Sequence, residues 1–128
     1  MRIPPGFNSI TPYFFIEGAD RFIDFLVQGL GGVEIGRHMN GDLIANAQVR
    51  LGTSTVMVSE ATTAFPAMSA SYYLYVEEAD KAMEKAIGAG GSSIMDVANM
   101  PYGDRQGGVR DTFGNLWWLS ERLIDCPY

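Results

Sequence analysis

The sequence predicts an α+β fold made of two tandem βαβββ modules, and three observations predict it. The first is an internal match at an offset of 60 residues, in which Ile10-Thr-Pro-Tyr-Phe-Phe-Ile-Glu-Gly-Ala-Asp20 lies over Ala70-Ser-Tyr-Tyr-Leu-Tyr-Val-Glu-Glu-Ala-Asp80. That alignment pairs Tyr13 with Tyr73, Glu17 with Glu77, Ala19 with Ala79 and Asp20 with Asp80. It continues through Gly31 and Gly91 and through Val49-Arg50 and Val109-Arg110; one extra residue then brings Ser59-Glu60 onto Ser120-Glu121. The second observation is that each copy opens on a run rich in β-branched and aromatic residues, the composition of a strand with a buried face. The third is that helical spacing follows each run, and strand-like runs follow each helix.

Taken in order, residues 10–16 and 70–76 are the opening strands. From Ala19 the apolar positions Phe22, Phe25, Leu26 and Leu30 recur at helical spacing, as do Ala82, Ala86 and Ile87 in the second copy. Asp20 and Asp80 fall in the first turns, where the helix dipole favours negative charge. Gly31-Gly32 and Gly88, Gly90 and Gly91 are expected to supply the positive-φ positions that end the helices. Three strands are then expected in each copy, near 33–37, 43–51 and 55–59, and near 93–97, 108–110 and 116–121. Ala61 to Met68, with Thr62, Thr63 and Pro66 and no apolar period, reads as the linker between modules at about 8–60 and 69–123. The whole is expected to form one domain over 1–128, the usual length for one.

Composition removes several function classes. A net charge of −6, with lysine only at positions 81 and 85, provides no basic cluster to neutralise phosphates, so nucleic acid is not an expected partner. The longest apolar runs, Tyr72 to Val76 and Leu116 to Leu119, are far short of the roughly 20 residues of a spanning helix, so no membrane is expected either. Arg2 has no apolar run behind it that would make a secretory leader, and the expected address is cytoplasmic. Cys126 alone makes no disulfide and no Cys-x-x-Cys pair. There is no Gly-x-Gly-x-x-Gly and no phosphate-binding loop, and His38, the sole histidine, has no visible orienting context for a hydrolase triad.

The segment Gly107-Gly-Val-Arg-Asp-Thr-Phe-Gly-Asn-Leu-Trp-Trp-Leu119 resembles the final hairpin of the vicinal-oxygen-chelate superfamily, which includes the glyoxalase and bleomycin-resistance proteins. Thr112 stands where a proline is usual. Met100-Pro-Tyr-Gly-Asp-Arg105 resembles the loop before that hairpin in the PhnB-like subgroup, and Ile10-Thr-Pro-Tyr13 resembles its opening strand. The resemblance covers about residues 8–123 and implies that the two modules form a U-shaped mixed sheet around a cavity. The hairpin also has its own physics: Asp111 and Asn115 form turns, and Gly114 supplies a left-handed position.

The resemblance further implies that a metal, if present, would be held on the first and last strands of each module. Those positions carry Thr11, Met57, Ser71 and Trp118, none of which is an imidazole, carboxylate or thiolate. No metal and no cofactor is therefore expected. Glu60 and Glu121 lie three residues beyond the last-strand positions, which on a period-two strand is the opposite face. A slip of one residue in register would return them, with His38, as candidate ligands.

On the face of the metal positions, alternation places Thr11, Tyr13 and Phe15, then Ser71, Tyr73 and Tyr75, and Leu116 with Trp118. An aromatic pocket of this kind stacks on flat or cationic molecules, and tyrosine hydroxyls orient them. Tyr13, Tyr73 and Trp118 are the principal ligand-binding candidates, with Thr11, Ser71 and Met57 beside them. Arg105, read as part of a flexible loop, is a candidate anion anchor, with Arg50, Arg110 and Asn46 behind it. The leading expectation is a metal-free small-molecule-binding protein of the bleomycin-resistance type, a homodimer by resemblance. A divalent-metal enzyme of the glyoxalase or dioxygenase kind and a ligand-free dimerisation module stay open beside it.

Overall fold

The computed structural model describes all residues from Met1 to Tyr128. Contacts divide the chain into two compact units, Met1–Met68 and Ser69–Tyr128, each built on one βαβββ repeat. Unit 1 contains β1 (Tyr13–Ile16), α1 (Ala19–Gln28), β2 (Val33–Asn40), β3 (Leu43–Leu51) and β4 (Ser54–Glu60). Unit 2 contains β5 (Ser71–Tyr75), α2 (Ala79–Gly88), β6 (Ser92–Asn99), β7 (Asp104–Arg110) and β8 (Leu116–Arg122).

The sheet orders are β1-β4-β3-β2 and β5-β8-β7-β6, so both sheets are mixed and open. In each, the first strand runs parallel to the last and the remaining pairs are antiparallel. A parallel neighbour needs a long connection, and the helix with the two middle strands supplies it.

Alternation along the first strand decides which face meets the helix. In β1, Phe14 and Ile16 are buried, and the Phe14 ring lies 4.9 Å from that of Phe22 on α1. Ala47, Val49, Val56 and Val58 complete this side, together with Phe22, Ile23, Phe25 and Leu26 from the helix. Burying each large apolar side chain contributes roughly 1.5–3 kcal/mol, so this face anchors unit 1. In unit 2, Trp117, Leu119 and Val109 meet Ala79, Met83 and Ala86 of α2. The opposite faces carry the repeat-related tyrosines, and those remain partly exposed.

Neither helix is capped from its own N-terminal residue. Gly18 precedes α1 at φ 86°, and the Gly18 and Ala19 amides instead donate to the two carboxylate oxygens of Glu60, each at 3.0 Å. Glu60 lies opposite Ile16 in the β1–β4 register, which aims its side chain at the helix end. In unit 2 the Ala79 amide donates to Glu121 at 2.9 Å. Both contacts satisfy orphan amides and place negative charge at the positive end of a helix dipole.

Two expectations from the sequence need correction. Of the glycines after the helices, Gly31 and Gly90 have positive φ, whereas Gly32, Gly88 and Gly91 do not. Gly32 and Gly91 are needed for space, since a Cβ at either would come within 2.9 Å of a helix carbonyl, that of Leu26 or Ala86. The other correction is that β7 begins at Asp104, which puts Arg105 in a strand rather than a loop. Gly107-Gly108, inside β7, serves as a site of close approach. A Cβ at Gly107 would lie 2.7 Å from Met83 Sδ, and one at Gly108 would lie 2.9 Å from the Trp118 ring.

Candidate functional site

The face of unit 1 away from α1 holds a cavity of about 200 Å³. Tyr13, Phe15 and Phe65 form its aromatic wall, with Leu43, Ser59 and Thr62 among the remaining lining residues. Phe15 stacks between the other two rings, 4.7 Å from Tyr13 and 5.6 Å from Phe65. Phe65 reaches this position because the segment after β4 turns back, through Met68 N–H to the Phe15 carbonyl and Thr62 N–H to the Phe65 carbonyl.

A directed relay of hydrogen bonds crosses this face. Ser59 Oγ donates to the Ala45 carbonyl at 2.6 Å, which leaves Ser59 to accept from the Tyr13 hydroxyl at 2.7 Å. Tyr13 in turn accepts from Asn46 Nδ2 at 3.2 Å, and Gln48 Nε2 donates to Asn46 Oδ1. Each donor polarises the next, which fixes the tyrosine ring against the cavity. Tyr13 keeps 43% of its surface exposed, so a ligand can reach the ring that the relay holds.

Unit 2 carries the repeat-related residues differently. Trp118 Nε1 donates to Ser71 Oγ at 2.7 Å, and Tyr73 stands opposite Trp118 in the ladder. The Tyr73 hydroxyl donates to Asp104, a carboxylate with no exposed surface. Arg122 Nη1 and the Tyr128 hydroxyl also donate to Asp104, at 2.9 and 2.8 Å. Burial alone would push the Asp104 carboxyl up, but the hydrogen bonds from Tyr73, Arg122 and Tyr128 outweigh it and hold the group below its ordinary range. The Tyr73 phenol is raised by burial and by its bond to that carboxylate. The Tyr128 phenol is raised by its bond to Tyr75, by burial and by its bond to Asp104.

Of the residues singled out in sequence, the cavity takes Tyr13 and Phe15. Met57 lies opposite Tyr13 in the β1–β4 ladder, and Thr11 lies just before β1; neither lines the cavity. Asn46 acts through the relay. Arg105 is held by Asp80, at 2.8 and 3.0 Å, and by Asn99 at 3.0 Å, which fixes it at the surface. His38, Arg50 and Arg110 are exposed. Sequence reasoning missed Ser59 and Phe65. The pairing of Ser59 with Ser120 was a usable signal, whereas the return of Phe65 depends on a chain reversal with no local signature.

No three side chains among His, Cys, Asp and Glu converge to hold a metal ion. Glu60 and Glu121 are engaged at helix ends, and Thr11, Met57, Ser71 and Trp118 offer only hydroxyl, thioether and indole groups. These side chains do not fit the divalent metal that the sequence resemblance implies. The Asp-Thr-Phe-Gly-Asn hairpin is structural: Asp111 accepts from the Phe113 and Asn115 amides, Asn115 Nδ2 and Trp117 Nε1, at 2.8 to 3.0 Å.

No family model matches the chain. An uncharacterized protein of Mycobacterium bovis is 26% identical over 125 residues, covering 88% of this chain and 82% of that protein. Among solved structures, TioX from Micromonospora sp. ML1 superposes with a TM-score of 0.74 at 21% identity, over 94% of this chain and 100% of that one. TnmS3 from Streptomyces sp. CB03234, described as an antibiotic binding protein, gives 0.68 at 18% identity, over 90% of this chain and 97% of that one. A glyoxalase/bleomycin resistance protein/dioxygenase superfamily member from Sphaerobacter thermophilus gives 0.68 at 17% identity, over 90% and 98%. The chain therefore has the fold of the glyoxalase and bleomycin-resistance superfamily, with no subgroup standing out.

Proposed function

We propose that the protein is a metal-free small-molecule-binding protein of the bleomycin-resistance type, which holds an aromatic ligand by burial and stacking and does not transform it. The cavity on unit 1 carries this reading: it is concave, walled by three rings, and has a tyrosine hydroxyl fixed by a relay. Its 200 Å³ is below the roughly 300–1,000 Å³ of pockets for drug-sized ligands, so unit 1 takes one or two fused rings. TnmS3, which shares the fold, is described as an antibiotic binding protein, and that supports a small-molecule ligand here. Tyr13 is assigned to the ligand directly, with Thr11 and Met57 as neighbours. Tyr73, Ser71 and Trp118 are the corresponding set in unit 2, and Arg105 is a rim residue. We further propose a cytoplasmic homodimer of the PhnB-like subgroup; light scattering of the purified protein tests the dimer.

The test is thermal shift and calorimetric titration with a panel of one- to three-ring aromatics, beside elemental analysis and titration with nickel, zinc, manganese and ferrous ions. Saturable binding of an aromatic compound that Tyr13→Ala weakens at least tenfold, without a stoichiometric metal, is the expected result. A bound metal at one per chain, or a large stabilisation by one ion, would overturn it.

A further inference from the structure

Superposing the repeat on the unit 1 cavity gives its counterpart in unit 2. At an offset of 60, and 61 beyond the extra residue, the lining residues Tyr13, Phe15, Ile44, Ser59 and Ala61 become Tyr73, Tyr75, Asp104, Ser120 and Arg122. Two apolar positions of unit 1 have thus become an ion pair, with Arg122 Nη1 2.9 Å from Asp104 Oδ1. The aromatic lid has a counterpart too. Phe65, after β4, covers Phe15, and Tyr128, after β8, meets Tyr75 hydroxyl to hydroxyl.

Tyr128 makes the contacts of a bound ligand. Its ring covers the Arg122 guanidinium, with the Arg122 Cζ 4.3 Å from the ring centre, and its hydroxyl donates to Asp104 Oδ2 at 2.8 Å. Tyr102 packs beside it with ring centres 6.4 Å apart. The residue is nonetheless 73% exposed, and beyond Leu123 no backbone–backbone hydrogen bond ties its segment down. The segment is held through side chains, by Arg122 Nη2 to the Cys126 carbonyl at 2.5 Å and by the Tyr128 hydroxyl. If Tyr128 swings away, the recognition elements stay behind: a buried carboxylate oxygen that accepts a hydroxyl, a planar cation that stacks on a ring, and the Tyr75 hydroxyl. Arg122 remains in place through Asp104 and its 2.8 Å bond to the Tyr102 carbonyl.

We propose that this face of unit 2 is a second ligand site, selective for a hydroxylated aromatic ring, and that Tyr128 is its built-in occupant. The site deepens the assignment of Tyr73 to a ligand in unit 2 and rests on that reading, not on the unit 1 pocket. In unit 1, Ile44 and Ala61 stand at the same positions, and the one carboxylate that borders the cavity, Glu60, is taken up by the Gly18 and Ala19 amides, so that cavity offers no such ion pair. In unit 2, Asp104 and Arg122 demand a ring with a donor hydroxyl. A ligand must outcompete a tethered phenol at high effective concentration, so the site is closed to weak binders.

The test uses 4-methylphenol, which is the tyrosine side chain itself, and toluene, which lacks only the hydroxyl. Each is titrated by amide NMR into the full chain and into Tyr128→Ala, which removes an exposed side chain and leaves the core intact. Tyr128→Ala is expected to bind 4-methylphenol at least tenfold tighter than the full chain, with shifts at Gln106, Ser120 and Arg122, and to bind toluene at least tenfold more weakly than 4-methylphenol. Tyr128→Phe is expected to fall between the two proteins, and Phe65→Ala to leave these shifts unchanged. Equal affinity of the full chain and Tyr128→Ala for 4-methylphenol would overturn the proposal, as would equal affinity for toluene or shifts confined to unit 1.

Discussion

Units 1 and 2 share one plan down to the glutamate that caps each helix, yet they spend their outward faces differently. Unit 1 fills the space around Tyr13 with neutral groups, Ser59, Asn46 and Gln48, and leaves a cavity. Unit 2 surrounds Tyr73 with Asp104, Arg122 and Tyr128 and closes the same space with its own side chains. Duplication preserved the scaffold residues because the helix face and the helix ends allow few alternatives. The outward face was free to diverge, since a side chain there meets solvent, ligand or a returning segment rather than a packed core.

The comparison extends to the hairpins, where the largest expected effect lies. Unit 1 joins β3 to β4 through Gly52 and Thr53 alone, whereas unit 2 joins β7 to β8 through a five-residue loop closed by Asp111 N–H to the Asn115 carbonyl. Asp111→Ala strips the acceptor from four donors in a buried setting, at about 1–3 kcal/mol for each group left unsatisfied. Urea unfolding is expected to show a loss of about 3 kcal/mol or more, against less than about 0.5 kcal/mol for Thr53→Ala. Similar losses for both would mean that Asp111 is not what organises the loop.

Next come the helix caps. Glu60→Ala is expected to cost about 1–2 kcal/mol, within the range of a lost cap, because two amides lose their acceptor. Glu121→Ala, with one amide, is expected to cost about 0.5–1 kcal/mol. Ligand affinity should stay within a factor of two in Glu121→Ala, whereas Glu60 also borders the unit 1 cavity and its variant is read by stability alone. Neither glutamate would be a cap if stability held in both variants while ligand or metal binding fell.

A smaller effect belongs to the relay. Tyr13→Phe keeps the ring and removes the hydroxyl between Ser59 and Asn46, and about 0.5–1.5 kcal/mol of stability is expected to go with it. Calorimetry should show weaker but surviving ligand binding, since stacking persists. Unchanged affinity would place the ligand away from Tyr13.

The smallest effect is a pH dependence that unit 2 has through Asp104. Its carboxyl titrates lower in the folded chain than the roughly 3.9 of an unfolded aspartate, so its contribution is fully present above about pH 4. That contribution is lost as pH falls through the folded value. Thermal melts between pH 7 and 3 should show a steeper acid loss for the parent than for Asp104→Asn, and parallel curves would remove Asp104 from this role.

Much of this fold was legible because duplication and strand alternation are statements about periodicity, and periodicity survives burial. The outward faces of Tyr13 and Tyr73 followed from it, while the structural part played by Asp111 and Asn115 followed from turn chemistry. Three features escaped the sequence for a physical reason. Gly107-Gly108 has the composition of a turn but serves the close approach of Met83 and Trp118, which only the folded neighbours reveal. Arg105 is fixed by Asp80, a partner 25 residues away. Phe65 and Tyr128 act after a chain reversal, in segments with no periodic pattern to read.

The outward aromatic face of unit 1 is proposed to hold a small aromatic molecule. The decisive experiment is amide NMR of the full chain titrated with naphthalene, which matches the size of the cavity. Saturable shifts are expected to cluster on Phe15, Ser59, Thr62 and Phe65 and to disappear in Tyr13→Ala. Absence of saturable shifts, or shifts that instead follow α1 and its buried face, would contradict the proposal.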